Sequence, residues 1–231
     1  MSAGTEPQLD PQRARRDAGP LTNRGKARRQ ELLRAARQVF ERQGFYETRV
    51  ADIVAEAGVS QGTFYTYFES KDVVFREVAN DVAEQMLHGL HADALADDPL
   101  ERVRDALQRF VDVYRPAARM LAVIEQVAST TPEMRELRLA LREAFVQRSA
   151  RGIRRWQQDG TADDALDAEL AAEVLGSMVD QVCYVWLSLG QEFQEGELID
   201  ALGLIWSRAI GVRTTSRTSR VRRALRPPAR A

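Results

Sequence analysis

Apolar residues recur along the central part of the chain with the spacing of helices. Leu32, Leu33, Ala36, Val39 and Phe40 fall at i, i+1, i+4, i+7 and i+8 and form a single stripe. Such a stripe predicts an amphipathic helix over about 24–43, ended by Gly44 as a left-handed C′ glycine. Val50, Ile53, Val54 and Ala57 predict a second helix over 49–56, with Thr48 as its N-cap and Gly58 closing it. Ser60 caps a short third helix, 61–67. Ser70 caps a long fourth, 71–92, whose stripe is Val74, Val78, Val82 and Leu90. Pro99, Pro116 and Pro132 mark starts or kinks of later helices, predicted over 99–114, 116–129 and 133–158. Two more are predicted over 165–190 and 196–212. No run alternates with a period of two for long enough to compete as a strand. The expected fold class is all-α, nine or ten helices.

The tails differ from this body. Residues 1–23 hold Pro7, Pro11, Gly19 and Pro20 with few large apolar groups, and 214–231 is rich in arginine. Neither buries enough surface to offset the entropy of ordering, so both are predicted to be disordered arms. The expected organisation is an arm (1–23), a three-helix unit (24–70), a helical domain (71–213) and a basic tail (214–231).

Charge changes the picture through its distribution. The chain as a whole carries −1. Residues 24–49 hold eight basic and three acidic groups, and 81–200 hold 12 against 23. A basic start on an acidic body suits an anionic partner at one end. The single cysteine, Cys183, excludes an intrachain disulfide and fits a reducing cytosol. No stretch approaches the roughly 20 apolar residues needed to cross a bilayer. The expected location is cytoplasmic, with no membrane partner.

The chemistry concentrates in residues 44–72, where two short helices flank the tight connection Ala57-Gly58-Val59-Ser60. That is the layout of a helix-turn-helix, whose second helix enters the DNA major groove. Gln61, Gly62 and Thr63 supply the small, polar N-terminal end such a helix needs. Gln61 is suited to a bidentate contact with adenine and the Thr63 methyl to thymine, while Gly62 permits close approach. Tyr65 and Tyr67 offer hydroxyls to phosphates or ring edges to bases. Phe64 and Phe68, four apart, are expected to anchor the helix. Lys71, in the first turn of the fourth helix, is expected to clamp a phosphate.

The ordered set Gly44-Phe45, Val50, Asp52-Ile53, Ala57-Gly58-Val59-Ser60, Gly62-Thr63, Tyr65, Tyr67-Phe68 and Lys71 resembles the N-terminal domain of the TetR family of bacterial transcriptional regulators. The resemblance is strong over 24–76 and extends weakly to the rest. It implies three DNA-binding helices, a C-terminal bundle for ligand binding and dimerisation, and no cofactor. It implies a homodimer on a palindromic operator of double-stranded DNA, most commonly as a repressor released by a small effector. It also implies DNA contacts through Thr48, Ser60, Gln61, Gly62, Thr63, Tyr65, Tyr67 and Lys71. Arg49 departs from the family pattern, which carries Thr or Ser there. An arginine at that place adds a candidate phosphate or base contact and leaves Thr48 as the only candidate cap.

The second half is less specific. The predicted helix 165–190 is apolar nearly all round, and such a helix must be covered on every side. Two arrangements satisfy this: the interior of a monomeric bundle, or a dimer interface. The dimer is favoured, with Met178, Val182, Val185, Leu202, Ile205 and Trp206 as interface candidates. A pocket needs an apolar lining with a few placed polar groups. Met120, Phe145, Trp156, Tyr184 and Trp186 are the apolar candidates, with Glu125, Asp180 and Gln181 as polar groups inside apolar helices. Each is equally readable as core. His88 and His91 stand three apart without a further ligand set, so no metal is expected. No nucleophile elbow, phosphate loop or zinc spacing points to an enzyme.

Overall fold

A computed structural model describes residues 22–89 and 98–212. Among these it contains eight α-helices: α1 (Asn23–Gln43), α2 (Val50–Ala57), α3 (Gln61–Tyr67), α4 (Lys71–Gly89), α5 (Pro99–Ala128), α6 (Pro132–Gln158), α7 (Ala168–Cys183) and α8 (Glu195–Ala209). A π-helical turn, Tyr184–Ser188, continues α7. Nearly all of the predicted arm, the whole predicted tail, Leu90 and His91 lie outside the described residues.

Helix starts follow local chemistry. The Thr22 hydroxyl accepts from the Gly25 N–H at 3.2 Å and opens α1. The Asp98 carboxylate accepts from the Leu100 and Glu101 amides, with Pro99 in the first helical position, and opens α5. Asp167 does the same for α7 through the Glu169 and Leu170 amides. The N-cap of α2 is Arg49, correcting Thr48. The Asp52 carboxylate accepts from the Arg49 N–H at 2.8 Å, and the Thr48 hydroxyl turns away to donate to the Gly44 carbonyl at 2.6 Å.

The α1 stripe is buried as its spacing predicts: Leu32, Ala36, Val39 and Phe40 are fully enclosed, with Ile53 of α2 and Phe64 of α3. Val74 and Phe75 of α4 join the same core, and Phe75 meets Phe40 edge-on with 5.1 Å between ring centres. Further along α4, Val82 and Met86 face the bundle. There α7 packs mainly on α6, and α8 mainly on α5. One helix, α4, therefore belongs to both cores.

Three expectations are corrected. The predicted break at Pro116 does not occur. Pro116 lies inside one 30-residue helix, on its exposed side, and its carbonyl accepts from the Arg37 guanidinium at 2.9 Å. Burial of α5 on several neighbours holds the helix through the missing N–H. The uniform helix predicted over 165–190 instead switches to a π turn at Tyr184, where the Leu189 N–H donates to the Tyr184 carbonyl at 3.0 Å. Finally, Ala168–Ser188, 21 residues, is long and apolar enough to cross a membrane by length and composition. Glu173 and Asp180 within it pair with Arg142 and Arg138 of α6.

Two glycines shape the reader unit. Gly58 sits in the left-handed region (φ 62°, ψ 37°), which asparagine also tolerates. Gly44 (φ 80°, ψ 174°) occupies a region open essentially to glycine alone. Gly44→Ala is therefore expected to lower stability by about 1–3 kcal/mol, and Gly58→Asn by less. Urea unfolding followed by circular dichroism checks the order, and equal losses would contradict it.

Candidate DNA-reading and ligand sites

The geometry of α3 separates anchoring from presentation. Phe64 and Phe68 are buried, Phe68 beneath the Arg29 guanidinium at 4.9 Å. Gln61, Gly62, Tyr65 and Thr66 are exposed on the opposite side, and Thr63 and Tyr67 are half-buried. The Ser60 hydroxyl accepts from the Thr63 N–H at 3.2 Å and lies in hydrogen-bond contact with the Thr63 hydroxyl at 3.0 Å. Both hydroxyls serve the cap. Thr66, not singled out in the sequence, donates to the Gly62 carbonyl at 3.0 Å. A threonine at i+4 from a glycine was the available signal. Arg49 is exposed at the start of α2.

Two expected contact residues are placed elsewhere. Thr48 is 2% exposed. Lys71 points inward: its ammonium donates to the Phe45 carbonyl at 2.7 Å and the Thr48 carbonyl at 2.8 Å, and lies 4.2 Å from the centre of the Phe45 ring. Burial lowers its pKa, against the raising influence of Asp72 and Glu47. These bonds make Lys71 a strut that holds the 45–48 loop on the start of α4. Part of the basic excess of α1 is likewise spent internally, since Arg28, Arg29, Arg37 and Arg42 pair with Glu31, Glu77, Glu41 and Glu56.

An internal cavity of about 230 Å³ lies between α4, α5, α6 and α7. Met86, Phe110, Leu121 and Phe145 give it apolar walls, with Tyr114 and Tyr184 adding phenols. Its polar side is a chain of charges. Arg138 bridges Glu125, at 2.8 Å, and Asp180; Arg142 bonds Glu173, at 2.7 Å, and Ser177. Burial disfavours the Arg138 charge, but Asp180 and Glu125 outweigh it and its pKa rises. Burial, reinforced by Asp180, raises the Tyr114 pKa, so the phenol stays neutral.

Of the pocket candidates, Glu125, Phe145, Asp180, Gln181 and Tyr184 line this cavity. Met120 is fully buried and does not line it. Trp156 borders a separate groove, and Trp186 lies against the Arg115 guanidinium at 4.7 Å. Tyr114, Arg138 and Arg142 were missed. The signal for the arginines was their i, i+4 spacing on α6, with Glu173 and Asp180 available on the mostly apolar α7. Of the interface candidates, Ile205 is exposed and Met178, Val182 and Val185 are half-buried. Leu202 and Trp206 are buried within the chain's own core. Leu170, Val174 and Leu189 are the further large apolar groups left exposed on α7 and just beyond its π turn. Among the described residues no His/Cys/Asp/Glu group is arranged for a metal.

An anchored, solvent-facing short helix after a tight turn, carried on a helical bundle with a cavity, is the layout of a helix-turn-helix regulator. Comparison with known proteins agrees. Residues 32–78 match the family described as bacterial regulatory proteins, tetR family, and residues 103–211 match the C-terminal domain of the transcriptional regulator EthR. The HTH-type transcriptional regulator YfiR of Bacillus subtilis is 30% identical over 145 residues, 61% of this chain and 71% of that protein. EthR of Mycolicibacterium smegmatis is 25% identical over 201 residues, 86% of this chain and 91% of that one. Among solved structures, NalD of Pseudomonas aeruginosa, the secondary repressor of the MexAB-OprM multidrug efflux pump, superposes with a TM-score of 0.64 at 23% identity, covering 84% of this chain and all of its own. The chain belongs to the TetR family of bacterial transcriptional regulators and is a helix-turn-helix, DNA-binding transcriptional regulator.

Lys71→Met removes two charge-assisted bonds and leaves two carbonyls unpaired, so a loss of about 1–3 kcal/mol is expected in urea unfolding. Gln61→Ala, on the exposed face, should stay within roughly 0.5 kcal/mol of the parent. An unchanged Lys71→Met midpoint would return that ammonium to solvent.

Proposed function

We propose that the chain is a ligand-responsive repressor that binds a near-palindromic operator as a homodimer in the cytoplasm, and that it is not an enzyme. The observation that carries this is the division of labour on α3: Phe64 and Phe68 lock the helix while Gln61, Gly62 and Tyr65 remain presented. On this reading Gln61 and the Thr63 methyl meet base edges, and Arg49, Tyr65, Tyr67 and the α3 N-terminal amides meet the backbone. Thr48, Ser60 and Lys71 act as positioning residues. Two copies joined through Val174, Met178, Val185 and Ile205 would set two readers on half-sites roughly 34–36 Å apart.

The effector on this reading is a small molecule, partly apolar with one or two polar groups, held in the α4–α7 cavity near Tyr114 and Arg138. Met86 and Leu87 of α4 line that cavity, and the other end of α4 is pinned to the reader through Lys71. An effector shifts the equilibrium only by its difference in affinity for the two α4 positions.

Selection of bound duplexes from a random pool is expected to return a near-palindrome. Gln61→Ala should relax preference at one position per half-site by about 1–3 kcal/mol without changing overall salt dependence. Selection of no consensus would overturn the reading. Val174→Glu with Ile205→Glu should give a monomer in sedimentation that no longer protects both half-sites. A dimer persisting in that variant would move the interface elsewhere.

A further inference from the structure

A second concavity lies on the far side of Phe110 and Phe145 from the internal cavity, between the first half of α5, the last half of α6 and Trp206 of α8. Its volume is about 780 Å³. Those two rings meet edge-on, 4.9 Å between centres, and border both spaces.

Its composition runs against that of its surroundings. Residues 81–200 are strongly acidic, yet six of their twelve arginines converge here: Arg102, Arg109, Arg148, Arg151, Arg154 and Arg155. Asp159 is the one acid on the wall. Arg154 pairs with Glu169. Among the described residues Arg109, Arg151 and Arg155 form no ion pair. On α6 no acid occurs between Glu143 and Asp159, and Arg148, Arg151 and Arg155 follow i, i+3, i+7 along one face. Like charges at that spacing repel.

Beside this face, on the side toward Trp156, stands Gly152, a residue that weakens a helix interior relative to alanine. A Cβ built there meets nothing within 4 Å, so packing does not require the glycine. It leaves open the floor of the groove. That floor is apolar and aromatic, with Val103, Leu107, Ile153, Trp156 and Trp206. Two locally unfavourable choices, stacked cations and a mid-helix glycine, thus coincide over one apolar trough, the pattern expected where a site overrides stability.

We propose that this groove is a second ligand site, separate from the effector cavity, for an anionic amphiphile: a phosphate or carboxylate head with two or more charges on an apolar body. The guanidiniums of Arg109, Arg151 and Arg155 take the head, as planar forks suited to phosphate and carboxylate. The trough beside Gly152 takes the body, against Trp156 and Trp206. An apolar ligand without charge would leave the arginines repelling, and a bare anion would leave the tryptophan floor in water.

The full-length protein is titrated with dodecyl phosphate below its micelle concentration, read by calorimetry and tryptophan fluorescence. The expected result is saturable binding, one per chain, with a spectral change from Trp156 and Trp206. Dodecanol and inorganic pyrophosphate should each bind at least tenfold more weakly. Arg151→Glu with Arg155→Glu, both exposed, and Gly152→Leu, which fills the trough, should each weaken binding at least tenfold with unchanged far-ultraviolet circular dichroism. Leu121→Phe, which narrows only the internal cavity, should leave it intact. Wild-type affinity in either groove variant, equal binding of dodecanol or pyrophosphate, or loss of binding only in Leu121→Phe would each overturn the proposal. None of these outcomes bears on operator recognition, which the random-pool selection tests independently.

Discussion

A half-buried ammonium must be solvated by the protein itself, and the way Lys71 meets that demand fixes the reader. Its two bonds to the Phe45 and Thr48 carbonyls hold the loop that leads into α2. The same loop needs the glycine-only geometry of Gly44, and the Thr48 hydroxyl closes back on Gly44. With the loop set, Arg49 is left as the α2 cap residue, and α3 follows after the Gly58 turn. Because Lys71 is the first residue of α4, the pose of the DNA-reading helix is referred to the position of α4.

That reference matters because α4 reaches the cavity-bearing bundle. From Lys71 to Met86 the helix runs roughly 22 Å at 1.5 Å per residue, from the reader loop to the cavity wall. Other contacts resist independent movement: Arg37 of α1 donates to Pro116, and the Tyr46 phenol and Thr130 hydroxyl lie 2.6 Å apart. The reader therefore touches α5 directly and the cavity through α4. A ligand that displaces Met86 relative to α5 must either strain these contacts or rotate the reader with α4. Stiff packing favours the second.

The helices themselves were legible because each buries a stripe whose period survives in the sequence. The 61–67 reader was legible to the residue, since Ser60, Gly58 and the Phe64–Phe68 pair all mark the same boundaries. Arg49 and Lys71 were not, for a shared reason. Pattern shows that a polar side chain lies off the apolar stripe, but not whether neighbouring carbonyls turn toward it. Lys71 became a strut only because the 45–48 carbonyls converge there. Pro116 misled because a local rule, the missing N–H, was outweighed by burial of α5 along its length. The π turn left no trace in residue type. It shows only in the hydrogen-bond register that brings Tyr184 onto the cavity wall.

The apolar character of α7 has one explanation that joins several of these observations. Its inner face holds Ala172, Leu175, Val179 and Cys183 in the core. Glu173, Ser177 and Asp180 on its flank are tied to the α6 arginines. Leu170 and Val174 stand 64% and 60% exposed. A membrane-spanning helix would have to bury those ion-paired flanks in hydrocarbon, at a cost the pairing only partly offsets. A second copy of the same face would cover the outer residues and leave the Arg138 and Arg142 pairs in place. The hydropathy of this segment is thus that of a helix with two protein-facing sides, one supplied within the chain and the other by the partner we propose.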